Sequence, residues 1–169
     1  MRKIIIFSVI TLFTVSFSCT KEEKETDNTD AKLFDLAKKT DGFVWYKNNS
    51  ELLTKSTGSA HAYPYLRTRY NSQATTMLTE DRKVKENAQF PEGSLIVKEL
   101  LDDNSQLARY AILYKNSNNA NADAKGWVWG YIDADGKVAD PASNKGKSCI
   151  NCHLQSDNID YMLMNKFFE

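Results

Sequence analysis

Apolar and polar positions alternate with two different periods along this chain, which predicts both helices and strands. Three segments place apolar residues at helical spacing, and we expect helices over residues 31–40, 72–86 and 159–168. The first helix should start at an Asp30 N-cap and end near Gly42, and the second should start at Ser72.

Four other segments are rich in β-branched and aromatic residues or alternate apolar with polar positions. They predict strands over residues 60–70, 94–101, 107–115 and 126–133. Trp127, Trp129 and Tyr131 share one face of the last strand, and a turn at 134–136 leads into a short hairpin partner at Lys137 and Val138. The fold class is therefore α+β, a mainly antiparallel β-sheet with flanking short helices.

Composition narrows the range of functions. The chain has 22 basic and 22 acidic side chains, so its formal net charge of zero gives no electrostatic reason to expect nucleic acid or an anionic membrane surface as a partner. Three Trp, eight Tyr and eight Phe instead suit a core that is built around a large planar cofactor.

The N-terminus has the pattern of a bacterial lipoprotein signal. Arg2 and Lys3 precede a short apolar run over residues 4–17, and Ser18 followed by Cys19 resembles a lipobox. We expect Cys19 to be lipidated and to become the first residue of the mature chain. An ordinary signal peptide that is cleaved near Cys19 is the alternative.

These signals predict three regions and a location. Residues 1–18 are the expected signal peptide, residues 19–30 the lipidated Cys and a flexible polar tether, and residues 31–169 the domain. The protein is expected outside the cytoplasm, anchored by lipid to a bacterial membrane. The outer membrane is favoured, with the domain facing the periplasm or the cell surface.

The most specific chemistry lies near the C-terminus, in Cys149-Ile150-Asn151-Cys152-His153. C-x-x-C-H is the attachment signature of haem c, in which two thiols bond to the haem vinyl groups and the adjacent imidazole ligates the iron. We therefore expect covalently bound haem c with His153 as iron ligand. The alternatives are a thiol redox motif and a zinc half-site. Zinc would need two more ligands, for which Cys19 and His61 are the other candidates.

The location of this motif excludes the common haem c classes. Small electron carriers have it near the start of the domain, with a Met ligand far downstream, but here only residues 154–169 follow it. Cytochromes c′ of the four-helix kind do have it near the C-terminus, but their bodies are long helices. Residues 94–101 and 126–133 are instead predicted strands.

Four stretches together resemble the cytochrome P460 family, which includes cytochrome c′-beta. They are YLRTRYN at 65–71, FPEGSLIVKE at 90–99, WVW at 127–129, and CINCH at 149–153 followed by Asp160-Tyr161. The resemblance implies a haem c with His153 as proximal ligand and an open opposite side that binds small nitrogen ligands. In P460 members a Lys at the position of Lys98 is linked covalently to the porphyrin and hydroxylamine is oxidised, whereas c′-beta members lack the link and bind NO.

Lys98 is unusual even without the resemblance. It shares strand parity with Ile96 and Leu100, so it is expected on an apolar face, where a charged and unpaired amine is costly. A desolvated lysine of lowered pKa would be a nucleophile, as addition to a porphyrin requires. A lysine at a sheet edge that reaches solvent is the alternative.

Other candidate residues have weaker signals. The resemblance implies that Arg67 lies beside the bound ligand and donates hydrogen bonds to it; an ion pair with a carboxylate is the alternative. His61 is interpreted as an exposed or structural histidine rather than a second iron ligand. Met162 and Met164 are interpreted as core residues.

Hydroxylamine oxidation in P460 relatives also uses a carboxylate near the iron as proton acceptor. The sequence identifies no clear equivalent: Asp102 and Asp103 follow the Lys98 strand, and Glu99 has the opposite parity.

Three functions therefore remain open: oxidation of hydroxylamine or NO, NO binding without catalysis, and plain electron transfer. Expected partners are these small nitrogen ligands, an electron-acceptor redox protein, and the membrane through lipid on Cys19. A homodimer is compatible with the sequence.

Overall fold

Seven strands form one antiparallel sheet in the computed structural model of the protein, which describes residues 27–168. The strands are β1 (Val44–Trp45), β2 (Leu53–Thr54), β3 (Tyr65–Tyr70), β4 (Leu95–Leu101), β5 (Leu107–Lys115), β6 (Trp127–Asp133) and β7 (Val138–Asp140). Their order is β1-β3-β4-β5-β6-β7. Strand β1 pairs with the end of β3 at Arg69 and Tyr70, and β2 pairs with the start of β3, at Tyr65 and Leu66.

The helices that flank this sheet are short. They are α1 (Thr29–Ala37), α2 (Ser72–Thr75), α3 (Ile150–His153) and α4 (Met164–Phe167), with 3-10 turns at Tyr46–Asn48 and Ala142–Asn144. The predicted α+β class with a mainly antiparallel sheet is confirmed. No helix within residues 27–168 is long and apolar enough to cross a membrane.

The sheet buries different residues on its two faces because side chains alternate along each strand. One face, the helix face, packs against α1 through Leu33, Ala37, Val97, Ile112, Val128 and Ile132. The other, the cavity face, packs against the C-terminal segment through Leu66, Tyr70, Ile96, Leu100, Leu113, Trp127 and Trp129. The predicted alternation of Trp127, Trp129 and Tyr131 is confirmed, since all three belong to the cavity face.

Gly130 lets α1 approach the helix face closely. A Cβ atom at this residue would lie 2.9 Å from Leu33 Cδ1 and 3.4 Å from the Ile112 side chain. A separation of 2.9 Å is closer than real Cβ atoms adopt, so a side chain at this residue would force Leu33 to shift within the core.

The predicted helix over 72–86 is wrong beyond its first turn. Helix α2 ends at Thr75 and is capped by Asn71, whose Oδ1 accepts from Ala74 N at 3.0 Å, rather than by Ser72. Thr75 and Thr76 donate their hydroxyls to the carbonyls of Asn71 and Gln73. Such local bonds compete with helix propagation, and the chain instead turns back to pair Leu78 with Val84.

Other boundaries differ less. Helix α1 begins at Thr29, two residues before the predicted start, and is preceded by Asn28 rather than capped by Asp30. The C-terminal helix occupies only Met164–Phe167 of the predicted 159–168, because residues 159–162 form a tight turn. The expected signal peptide and lipidated Cys19 lie outside the described residues.

Candidate functional site

A cavity of about 500 Å³ opens over the middle of the cavity face. This volume is typical of a site for a small molecule or cofactor. Strands β3 to β6 form its floor, and its walls come from residues 56–61, the segment around α3, and α4. Cys149, Cys152, His153 and Lys98 all line it. The structure therefore brings together four of the predicted site residues from two distant parts of the sequence.

His153 is oriented by a backbone carbonyl. Its Nδ1 lies 2.7 Å from the Tyr161 carbonyl oxygen, so the ring donates its proton there and keeps Nε2 free as a ligand. A histidine that binds a metal is usually fixed in this way through its other nitrogen. Burial lowers the pKa of His153 to about 4, which keeps the imidazole neutral.

Trp129 packs against this ligand from the sheet. Its ring makes an edge contact with His153 at 5.2 Å between centroids and with Tyr161 at 5.3 Å. The Trp129 indole N–H donates to Asp123 Oδ2 at 2.8 Å, which fixes the ring. The Trp-rich strand thus sets the orientation of the imidazole.

The carbonyl that orients His153 belongs to a tight turn. Ile159 and Met162 exchange two backbone hydrogen bonds of 2.9 and 2.8 Å, with Asp160 and Tyr161 at positive φ between them. The Asp160 carboxylate accepts from Phe90 N and from Trp127 Nε1, each at 3.1 Å. One buried side chain therefore ties the 90–99 stretch, the Trp-rich strand and the segment after the CINCH motif together.

The loop before the two cysteines requires glycine at residue 146. Gly146 has φ +70, and a Cβ atom there would lie 2.6 Å from the Trp129 ring. The loop therefore runs directly over Trp129, which brings Cys149 to the cavity wall.

Both cysteines of the motif are free thiols, with Cys149 half-buried and Cys152 exposed. Ser148, beside them, donates its hydroxyl to Asp140, and Cys149 Sγ lies 4.0 Å from the same carboxylate. Burial, with Asp140 adding to it, raises the pKa of Cys149 and keeps it protonated at neutral pH.

Lys98 points from β4 into the cavity. Its cross-strand neighbours are Thr68 on β3 and Ala111 on β5, and Ile96 and Leu100 share its face as predicted. Burial alone lowers the pKa of Lys98 to about 8, so about a tenth of this amine is uncharged at pH 7. The alternative of a lysine that reaches solvent from a sheet edge is wrong, because β4 lies inside the sheet.

His61 was interpreted as exposed or structural; it is not exposed, and it makes several contacts in the fold. It lines the cavity, where Nε2 lies 3.5 Å from Lys98 Nζ and Nδ1 lies 3.5 Å from Tyr131 Oη. Burial lowers the pKa of His61 to about 2, so the ring is neutral. The only sequence signal was that the chain has just two histidines, since the contact depends on how residues 55–63 fold back over the sheet.

Arg67 lies on the helix face and does not line the cavity. It alternates with Leu66 and Thr68, and its Nε donates to Glu99 Oε2 at 2.6 Å while its guanidinium lies over the Trp45 ring. The structure therefore shows the ion-pair alternative. Strand parity could have indicated this, because Arg67 alternates with the apolar Leu66 and Tyr70, which lie on the cavity face. The register of the sheet pairs Arg67 with Glu99.

The carboxylates considered as proton acceptors are also elsewhere. Glu99 is buried between Arg67 and Arg69 on the helix face. Asp102 accepts from Asn104 N and Gln106 N in the turn that follows β4, and Asp103 lies in that turn. Among the described residues, Asp140 is the one acidic side chain that lines the cavity, on the side of the cysteines.

Two further expectations concern ligands. Met162 and Met164 are buried in the cavity-face core, as predicted. Within residues 27–168, no group of three or more His, Cys, Asp and Glu side chains could hold a metal ion on its own. The zinc alternative therefore finds no ligand set in the described part of the chain.

The residues of the cavity fit a haem c. Two reduced thiols lie on one helical turn, the adjacent imidazole has its ligating nitrogen free, and the surrounding walls are apolar and aromatic. An opening of this size between a β-sheet and a short C-terminal segment can take a planar cofactor.

Comparison with known proteins gives one match, to a family model, and that match agrees with this geometry. No match was found among curated proteins or among solved structures. The family model described as Cytochrome P460 matches residues 45–164, which is well over half of the chain and includes His61, Lys98 and the CINCH motif. The chain therefore belongs to the cytochrome P460 family, whose members are haem c proteins.

Proposed function

We propose that this protein holds one haem c, attached through Cys149 and Cys152 and ligated by His153, and that it oxidises hydroxylamine at the open side of the cofactor. The haem would supply an iron that binds the nitrogen compound and accepts its electrons. Each electron would leave for an external redox protein, and a proton would be lost with it. NO is the second small ligand that such a site would bind.

The observation that carries this proposal is the location of Lys98. A lysine in an apolar wall of the cavity that the cysteine motif also lines, with a pKa of about 8, is a usable nucleophile. It is therefore suited to a covalent bond with the porphyrin, the feature that accompanies hydroxylamine oxidation in this family.

The test is mass spectrometry of the trypsin-digested holoprotein together with the absorption spectrum of its reduced form. We expect the Lys98 peptide to be joined to the haem peptide and the Soret band to be strongly red-shifted. Lys98→Met should keep the haem, lose the shift and lose hydroxylamine oxidation. The exposed Lys137 provides the control, because Lys137→Met should change none of these. A free Lys98 peptide in wild-type protein would contradict the proposal.

Two other functions each have one supporting observation. The wall around Lys98 contains no carboxylate among the described residues, which favours NO binding without turnover. His61 lines the same cavity as His153, which favours an electron carrier with both histidines on the iron. An unshifted high-spin ferrous spectrum would select the first function, and a low-spin spectrum that becomes high-spin in His61→Phe would select the second.

The proposal includes a location. The lipobox-like Ser18-Cys19 supports a lipid anchor on Cys19 outside the cytoplasm, in a bacterial membrane that we propose is the outer one. Fatty-acid labelling should mark the wild-type protein and not Cys19→Ala, and membrane fractions should lose the variant. Equal labelling of both proteins would contradict the anchor.

A further inference from the structure

Lys98 has a single hydrogen-bonding contact within the described residues. Its Nζ lies 3.5 Å from His61 Nε2, and its neighbours across and along the sheet are Thr68, Ala111, Ile96 and Leu100. The Thr68 hydroxyl donates to Met164 Sδ at 3.3 Å, and the amine nitrogen has its contact with His61 and not with this hydroxyl. His61 is thus the one group that can orient the amine.

Several contacts hold His61 in place. Lys55 Nζ donates to the His61 carbonyl at 2.9 Å, and His61 N donates to Ser59 Oγ at 3.3 Å. The imidazole lies against the Tyr131 ring, with 6.0 Å between centroids and 32° between planes. The loop therefore presents a fixed ring to Lys98, with Nε2 toward the amine and Nδ1 toward Tyr131 Oη.

The contact between Lys98 and His61 determines which atoms donate and which accept a hydrogen bond. A neutral amine has two N–H bonds and one lone pair, and a neutral imidazole accepts at one nitrogen and donates at the other. At neutral pH most Lys98 is an ammonium, which can only donate, so His61 Nε2 accepts from it and the ring proton lies on Nδ1. In the uncharged form of Lys98 the same contact uses an N–H of the amine. The lone pair of the amine is then left without a hydrogen-bond donor.

We propose that His61 is the positioning residue for Lys98: it accepts an N–H of the amine and leaves the lone pair available to a ring carbon of the porphyrin. This inference rests on the proposed function. In the linking step one C–N bond forms while one N–H bond and one ring C–H bond break. Two electrons and two protons leave, and an oxidant of the peroxide class takes them up as it is reduced to water.

The decisive comparison is between two substitutions of His61 in the holoprotein. His61→Phe keeps a planar ring and removes the acceptor, whereas His61→Gln keeps an acceptor oxygen on a side chain of similar reach. We expect the fraction of Lys98 peptide joined to haem to fall about fivefold to tenfold in His61→Phe, the effect of one lost hydrogen bond, and to recover in His61→Gln. The haem peptide released by digestion shows in each variant that Cys149 and Cys152 still carry the cofactor.

Three results would overturn the inference. The first is a His61→Phe protein that is linked as fully as wild type. The second is equal loss of the link in both variants, because the amide should replace the acceptor. The third is a low-spin wild-type spectrum that becomes high-spin in His61→Phe, since His61 would then be an iron ligand.

A second measurement separates this inference from the proposed function. If wild-type Lys98 is found free, the link fails, and the contact is tested through the pH dependence of reductive methylation of Lys98. His61→Phe should lower the pKa of Lys98 by about one unit, because the ammonium loses its only acceptor. An unchanged pKa would overturn the inference. The titratable groups that share the cavity are the same in both proteins, apart from His61: Arg109, Tyr131, Asp140, Cys149, Cys152, His153 and Tyr161.

Discussion

The Nδ1 atom of His153 lies 2.7 Å from the carbonyl oxygen of Tyr161, so the expected iron ligand is oriented by the backbone eight residues downstream. That carbonyl is presented by a turn with φ +47 at Asp160 and φ +71 at Tyr161. Such backbone is unfavourable for residues other than glycine, and the surrounding structure must hold it. The Asp160 carboxylate does so through Phe90 N and Trp127 Nε1.

Asp160→Asn should therefore weaken the whole cavity wall. The amide has one acceptor oxygen for two buried donors, and Lys115 Nζ, 3.6 Å from the carboxylate, loses its countercharge. We expect the free energy of unfolding to fall by about 2–3 kcal/mol, as measured by urea denaturation. Asp157→Asn is the matched control, since Asp157 is 77% exposed and lies 3.9 Å from Lys166; it should cost less than about 0.5 kcal/mol. Equal costs would contradict the role of Asp160.

The strand predictions succeeded where the pattern of buried residues can be read within the strand itself. Residues 94–101 carry apolar side chains on both faces, next to Lys98 and Glu99, because both faces of β4 are covered. The alternation over 126–133 follows from one face of Trp and Tyr. The 72–86 helix failed because its pattern of apolar residues is the same whether the segment continues as a helix or turns. The side chain of Asn165, which bonds the backbone of Val84, helps to fix the turned form.

The site was predicted in part for the same reason. The CINCH motif and the strand parity of Lys98 can be read from a few neighbouring residues. Lys98 and the Cys149, Cys152 and His153 of the motif all line the cavity. His61 and Asp160 act through contacts over long sequence separations, with Lys98 and with Phe90 and Trp127. No local pattern marks such contacts. Arg67 was assigned to the site from the resemblance, although its strand parity directs it away.

Gly146→Ala tests the loop that carries the cysteines. Both Gly146 and Gly42 have positive φ, at +70 and +75, but only Gly146 has a neighbour, the Trp129 ring, within reach of a new Cβ. Gly42→Ala should cost about 1 kcal/mol for backbone strain alone. Gly146→Ala should cost about 2–4 kcal/mol, because Trp129 must also move. Thermal unfolding of the two variants measures the difference, and equal costs would show that the loop yields without moving Trp129.

Gly146→Ala should also reduce haem attachment, because Trp129 packs against His153 and the loop leads into Cys149. The haem-to-protein ratio of purified Gly146→Ala should fall below that of Gly42→Ala. A normal ratio would mean that the loop geometry is not required for attachment.

Substitutions of Glu99 and Arg67 should change the stability of the fold and leave ligand binding in the cavity unchanged. Glu99 is 4% exposed and pairs with Arg69, which is 1% exposed, and with Arg67. Glu99→Gln leaves the Arg69 charge buried without a countercharge and should cost about 3–5 kcal/mol. Arg67→Met, at a side chain that is 32% exposed, should cost about 1 kcal/mol. Because Arg67 lies on the helix face, its variant should bind NO as wild type does, and a weaker NO complex would place Arg67 at the site.

Tyr46 should make stability depend on alkaline pH, because it ties the C-terminal segment to the sheet edge. Its Oη donates to the Phe168 carbonyl at 2.8 Å and lies 3.3 Å from Asn165 Oδ1, and burial, with Asp81 adding to it, raises the pKa of Tyr46 to about 12. A folded-state pKa above the unfolded value of 10 contributes stability below pH 10 that is lost as the pH rises toward 12.

Tyr46→Phe should therefore be less stable than wild type by about 1 kcal/mol at pH 8. The difference should shrink and reverse between pH 10 and 12, with a total swing of about 2–3 kcal/mol. Urea denaturation across this range measures the swing, and a difference that stays constant to pH 12 would show that Tyr46 ionises as easily in the folded chain as in the unfolded one.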